Sequence, residues 1–268
     1  MLEIEQFEDI TQIRMSRVVD GKPLYWVAAY LVDGLLIDTG CSHTVSELVD
    51  YLEKNPPDVA VNTHYHEDHI GANRRIQMRF GINIYAHLKS VPLIGREAVL
   101  FPYQELTWGY PEPSEVLPIA STIRTKKFSF DVIEVPGHSP DHIALIERAR
   151  GWCFTGDAFV GPRVKTIRPE EDMEITIASL RKLACLDTKR LILLTSLGQI
   201  FEDGREAIAS LEKFVADISD KVRELNGADR SVPEIVNDLF GGDDPRLLLT
   251  NGQFSREHLI RSILKLHG

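Results

Sequence analysis

Thr63-His64-Tyr65-His66-Glu67-Asp68-His69-Ile70-Gly71 sets three imidazoles and two carboxylates within six positions. A hydrophobic core does not tolerate such groups unpaired, and a solvated surface has no need of their order. The spacing H-x-H-x-D-H suits a metal centre. In an extended segment alternate side chains point the same way, so His64 and His66 project together beyond a strand end. Asp68 and His69 follow where the chain turns into a helix, and approach from another side toward a second ion. Imidazole and carboxylate are ligands for zinc, and also for iron or manganese. The chemistry on offer is a water made reactive by a metal. Glu67, between ligands, is read as solvated or as bonded to a ligand.

The elements around this stretch explain how it is positioned. The apolar run Asp58 to Asn62 reads as the strand that delivers it, and a helix over 69–80 follows, ending near Gly81. Upstream, strands over Leu24 to Leu31 and Leu35 to Ile37 flank the turn Val32-Asp33-Gly34 and run into Asp38-Thr39-Gly40. Ser42 reads as the N-cap of a helix whose apolar face is Val45, Leu48, Val49 and Leu52. Ile82 to Ala86 is another strand, and this β-α-β-α-β alternation packs helices on a sheet. From Leu88 to Thr125 periodicity weakens and prolines accumulate around Phe101, Tyr103, Trp108 and Tyr110. Two readings stay open there: a pocket wall or lid that includes Tyr103 and Trp108, or a hydrophobic cluster under a surface loop.

Regularity returns with the strand Phe128 to Val135, which runs into Pro136-Gly137-His138-Ser139-Pro140-Asp141-His142. Strands Ile143 to Ile146 and Trp152 to Thr155 follow, the second ending in Gly156-Asp157. The loop 160–169 carries Arg163, Lys165 and Arg168, either solvated or in contact with an anionic substrate group. Glu171 to Leu186 reads as a helix and Arg190 to Thr195 as a buried strand. Three helical patterns close the chain: Asp203 to Leu225, a capped start at Ser231-Val232-Pro233-Glu234, and Ser255 to Leu266.

A chain of 268 residues with 43% apolar and 26% charged residues fits one α/β domain with an appendage. A net charge of −10 argues against nucleic acid as a partner. Met1 to Glu5 lacks the basic start and apolar core of a signal peptide, and no apolar run is long enough to span a membrane. Cys41, Cys153 and Cys185 form no C-x-x-C pair and are read as reduced. A cytoplasmic protein without a membrane partner is the expectation.

Four motifs in order, D-T-G at 38–40, H-x-H-x-D-H at 64–69, P-G-H at 136–138 and G-D at 156–157, resemble the metallo-β-lactamase superfamily, in particular its glyoxalase II-like hydrolases. The resemblance implies an αββα sandwich over residues 1–204, with a helical C-terminal extension, 205–268, packed on it. It implies a first metal site of His64, His66 and His138 with an open position, and a second of Asp68, His69 and a shared Asp157. Asp38 would orient the metal loop from outside, and His142 would at most support it. Where the family closes the second site with a G-H pair, this chain has Leu197; His258 and His267 lie too far along to stand in. One or two zinc ions are expected, iron or manganese being open.

The implied activity is hydrolysis of a small ester, thioester or lactone through a metal-activated water that Asp68 orients or deprotonates. Two alternatives remain at this level. One is an iron-dependent persulfide dioxygenase-like enzyme using His64, His138 and Asp157. The other is a non-catalytic, metal-bound sensing or interaction protein, suggested by Leu197. The partner expected is a small-molecule substrate, and a homodimer through the C-terminal helices stays open.

Overall fold

The computed structural model describes residues 1–266; His267 lies outside them. A seven-stranded sheet runs in the order β1 (Leu2–Phe7), β2 (Ile10–Met15), β3 (Val27–Val32), β4 (Leu35–Ile37), β5 (Val59–Val61), β6 (Ile84–Ala86) and β7 (Leu117–Pro118). Its first four strands pair antiparallel and the rest parallel. A six-stranded sheet holds β8 (Thr122–Arg124), β9 (Ser129–Glu134), β10 (Ile143–Glu147), β11 (Trp152–Gly156), β12 (Ile192–Thr195) and β13 (Ile200–Phe201). Within it β11 and β12 pair parallel.

The central strands of both sheets, β3 to β5 and β10 to β12, are buried on both faces, as their near-continuous apolar runs require. Ala28, Tyr30 and Val32 of β3 meet Phe130, Leu145 and Phe154 of the facing sheet, while Val27 and Ala29 point outward. That outer layer is closed by α1 (Val45–Lys54) and α3 (Asn73–Phe80), through Leu48, Leu52 and Ile76. On the second sheet Ile143 and Leu145 face inward; Ala144 and Ile146 pack toward Leu180 and Leu183 of α6 (Met173–Ala184). The architecture is an αββα sandwich.

The helices α7 (Gly204–Gly227), α8 (Val232–Phe240) and α9 (Arg256–Leu264) follow. Ser231 and Glu234 form the capping box of α8, and Gly241 ends it at φ +72°. Ile208, Leu211 and Leu259 join the same outer core as α6, and a smaller cluster of Val222, Ile235 and Ile260 binds the three helices together. The helical extension therefore closes one face of the sandwich.

Three local expectations are corrected. The hairpin β1–β2 extends the first sheet before the strands read from sequence. Ser42 does not cap α1: it opens a short 3-10 turn, Ser42–Thr44. The helix expected over 69–80 is divided into α2 (Glu67–Ile70) and α3, broken at Gly71-Ala72. The cause is close packing: Gly71 N–H donates to Gly40 O at 2.8 Å, and a Cβ on Gly71 would lie 2.5 Å from the Cys41 carbonyl carbon and Ser42 N. The proline-rich stretch contains two short helices, α4 (Val91–Ile94) and α5 (Pro102–Thr107), with the edge strand β7 beyond them.

Candidate metal centre

The site is built at strand ends. His64 and His66 follow β5, His138 follows β9, Asp157 follows β11 and Leu197 follows β12. Three ring nitrogens converge: His64 Nε2 lies 2.9 Å and His138 Nε2 3.0 Å from His66 Nδ1. One imidazole nitrogen cannot satisfy two neighbours of the same kind as a hydrogen-bonding partner in any comfortable way, whereas an ion can. Zinc at about 2.0–2.1 Å from each of three nitrogens in a tetrahedron separates them by about 3.3 Å, close to the spacing seen. His64, His66 and His138 are 0%, 4% and 8% exposed. Burial holds the imidazoles of His64 and His66 well below their usual range, so they are neutral, as ligands must be.

Beside this trio stands a second group, His64, His69 and Asp157, whose ligand atoms lie within 4.8 Å of one another. Asp157 reaches both ways: Oδ2 is 3.3 Å from His138 Nε2 and Oδ1 is 3.4 Å from His69 Nε2. Asp68 Oδ2 is 3.8 Å from the same His69 nitrogen. Among the described residues His69 Nε2 and Asp68 Oδ1 are buried without a hydrogen-bond partner, an arrangement that is costly unless something fills it. Burial pushes the His69 imidazole down, but Asp38, Asp68 and Asp157 outweigh it and hold the ring well above its ordinary value. Burial opposes the Asp157 charge too, and His69 and His138 hold that carboxyl well below the usual range. A cation seated between these groups would stand in for the proton on His69 Nε2. The donor set fits a metal.

Outer contacts fix the ligands. Asp38 Oδ2 accepts from His69 Nδ1 at 2.7 Å, and the same carboxylate accepts from Thr63 N at 2.7 Å and Thr63 Oγ1 at 2.8 Å. Because a carboxylate only accepts, the proton sits on Nδ1 and Nε2 is turned inward. Asp38 adopts φ +60° to do this, a conformation that Asp tolerates better than most residues. His142 Nε2 accepts from Asp157 N at 3.0 Å, and its ring stacks on His64 at 4.5 Å. Gly156, at φ +50°, leaves room for that ring: a Cβ there would be 2.7 Å from His142 Cε1.

Two contributors, Asp141 and Glu171, were not singled out in the sequence. Asp141 Oδ2 accepts from Tyr65 N at 3.0 Å and Ser90 Oγ at 2.6 Å, tying the H-x-H loop to the P-G-H loop. Its place between His138 and His142 was the available signal. Glu171 Oε2 lies 3.3 Å from His138 Nδ1; nothing in its helix-opening context marks it. Glu67, read from sequence as solvated or bonded to a ligand, is instead buried, its Oε1 accepting from Gln104 Nε2 at 2.7 Å. Burial and the neighbouring Asp68 push its carboxyl up to about 7.

Two cavities flank the centre. One, of about 110 Å³, is lined by Asp68, His138 and Asp157 on one side and by Phe159, Val164 and Leu197 on the other. The second, of about 430 Å³, lies beyond His66 and Glu67. Of the pocket residues expected from sequence, Trp108 is buried and lines the smaller cavity. Tyr103 is half-buried and packs edge-on to Trp108 and Phe254. Arg163 and Lys165 are exposed and line neither cavity; Arg168 in the same loop is buried and borders both. The C-terminal extension, expected to pack on the sandwich, also contributes Phe254 to the smaller cavity.

The family model of the metallo-beta-lactamase superfamily matches residues 27–195, and the chain belongs to that superfamily. A hydroxyacylglutathione hydrolase, GloC, of Haemophilus influenzae is 32% identical over 133 residues, 46% of this chain and 60% of that protein. A hydroxyacylglutathione hydrolase of Bdellovibrio bacteriovorus is 28% identical over 116 residues, 42% of this chain and 40% of that one. The chain thus matches less than two thirds of the length of either. Among solved structures, a beta-lactamase domain protein from Burkholderia ambifaria has a TM-score of 0.69 at 20% identity, covering 99% of this chain and 85% of its own. TTHA1623 in a di-iron-bound form has a TM-score of 0.54 at 26% identity, covering 67% of this chain and 91% of its own.

Proposed function

We propose that this chain is a metal-dependent hydrolase acting on a small ester, thioester or lactone. The observation that carries the reading is the meeting of His64 Nε2, His66 Nδ1 and His138 Nε2 within 2.9–3.0 Å contacts at a cavity wall that also presents Asp68 and Asp157. A divalent ion held there supplies a Lewis acid, polarising a carbonyl and bringing the acidity of water toward neutrality. Asp68, whose Oδ1 has no hydrogen-bond partner among the described residues, is the group that accepts or orients a proton of the attacking water. Asp157 keeps the two histidine sets in register through its separate oxygens. The apolar side of the smaller cavity, Phe159, Val164 and Leu197, suits an acyl group. The relatives named hydroxyacylglutathione hydrolase favour a thioester within this class.

Zinc is the ion proposed, one per chain at full occupancy in the trio. With Leu197 rather than an imidazole on the cavity wall, the site of Asp68, His69 and Asp157 holds its ion more weakly. Hydrolysis of a panel of thioesters and lactones by the metal-loaded protein, with His66→Ala alongside, tests the reading. It predicts turnover that the substitution abolishes; no turnover of any member, or turnover indifferent to His66, would overturn it.

A further inference from the structure

Residues 95–116, between α4 and β7, wall both cavities: Trp108 lines the smaller one, and Val99, Phe101, Gln104 and Glu112 the larger. Val99 is 97% exposed at the outer side of this wall, whereas Gln104 is buried. The Gln104 side chain is committed at both ends. Phe101 N donates to Oε1 at 2.8 Å, so Nε2 is turned the other way, where it donates to Glu67 Oε1 at 2.7 Å. Its main-chain oxygen accepts from Trp108 N at 2.8 Å and from Gly109 N at 3.2 Å. Among the described residues, the Gln104–Glu67 bond is the only hydrogen bond between this segment and the loop His64 to Gly71. The other side-chain ties of the segment reach elsewhere: Arg17 donates to Leu106 O, His43 Nε2 lies 2.9 Å from Glu105 O, and Gln77 donates to Glu115 O.

We propose that Gln104 is a positioning residue that ties the cavity wall 95–116 to the metal centre, so that the wall closes firmly only around a loaded site. α2 carries Glu67 beside Asp68 and His69, and all of its residues are buried. Adjacent buried carboxylates, next to a His69 Nε2 that has no hydrogen-bond partner among the described residues, are tolerable together when a cation lies among them. Asp68 and His69, once they share a cation, fix α2, and with it the acceptor that Gln104 needs. The coupling is reciprocal: a closed wall favours the metal by the same factor as the metal favours the closed wall. The inference rests on the metal centre of the hydrolase reading and is independent of which ester is cut. The competing account is that Gln104 serves only α5, by accepting from Phe101 N. Under that account, removing the Glu67 carboxylate alone would leave the wall as it is.

Amide hydrogen exchange over residues 95–116 tests this, read on the full chain stripped by a chelator and again after loading with zinc. Exchange through local opening reports how often the wall leaves its place. Zinc should slow it about tenfold in the wild type, a factor usual for coupled sites. Gln104→Met and Glu67→Met should each abolish that response. The exchanged pair, Glu67→Gln with Gln104→Glu, reverses donor and acceptor while keeping an acceptor for Phe101 N, and should restore it. Zinc content is measured alongside, so that the variants are compared at equal loading. A wild type that loads zinc with unchanged exchange over 95–116, a full response in Glu67→Met, or an exchanged pair as unresponsive as Gln104→Met would overturn the proposal. Should Gln104→Met fail to fold, the wild type and Glu67→Met still decide. A wild type that takes up no zinc would defeat the metal reading and this inference together. The readout needs no substrate, so failure of the thioester panel leaves it decisive.

Discussion

Asp38 never faces the cavities, but its one carboxylate holds Thr63 twice and His69 once. It therefore decides which nitrogen of His69 is available. Asp38→Asn keeps the shape and the φ +60° backbone but removes the charge and turns one acceptor into a donor. Loss of such an outer partner typically weakens metal binding about 10–100-fold. Competition with a chelator should give a drop of that order with the circular dichroism unchanged; full affinity would mean that His69 is oriented by something else. Leu197 supplies the converse test. Leu197→His should raise the metal bound per chain, and an unchanged stoichiometry would show that the second position is already full or is not a site. The ligand types and spacing around residue 64 were legible because so many polar groups cannot be buried together without a cation. Arg168, Glu171 and Asp141 were not, since each is an ordinary charged residue whose burial arises only from how distant loops meet.

At the scale of elements, the motif loop works because α2 can lie against the Asp38-Thr39-Gly40 turn. The same contact hid the helix break from the sequence: Gly71 is helical in its backbone, with φ −56°, so nothing in its conformation signals a stop. The constraint comes from the backbone of Gly40 to Ser42 packed against it. Gly71→Ala therefore leaves backbone preference satisfied and acts through overpacking, about 1–3 kcal/mol. For a chain of 268 residues that corresponds to a fall in Tm of about 2–5 °C, with reduced metal content, because His69 moves with α2. A Tm within a degree of wild type would refute this packing account. Four strands of the second sheet were read nearly to their ends, since runs such as Ile143 to Ile146 are apolar on both faces; the short outer strands β8 and β13 were not read. The N-terminal hairpin was missed because β1, Leu-Glu-Ile-Glu-Gln-Phe, is an edge strand with mostly exposed residues and little apolar signal.

For the whole molecule, one outer core joins α6 to α7 and α9, so the C-terminal helices and the sandwich should unfold together. Cys153 sits in that core, fully buried, and burial pushes its thiol up to about 12 from the ordinary 9.0. The unfolded chain ionises this thiol first, so its contribution to stability is complete below pH 9 and is lost as the pH rises toward about 12. Cys153→Ala should be less stable than wild type at neutral pH, and the gap should narrow across that alkaline window; parallel stability curves would contradict the assignment. In the folded protein only Cys185, which is exposed, should react quickly with a thiol reagent, Cys41 and Cys153 being buried. The central claim is that imidazoles from separate strands share one cation, and elemental analysis of the purified protein tests it most directly. We predict at least one divalent transition-metal ion per chain in the wild type and its loss in His66→Ala; a wild type that takes up no metal, or a variant that keeps all of it, would contradict the account.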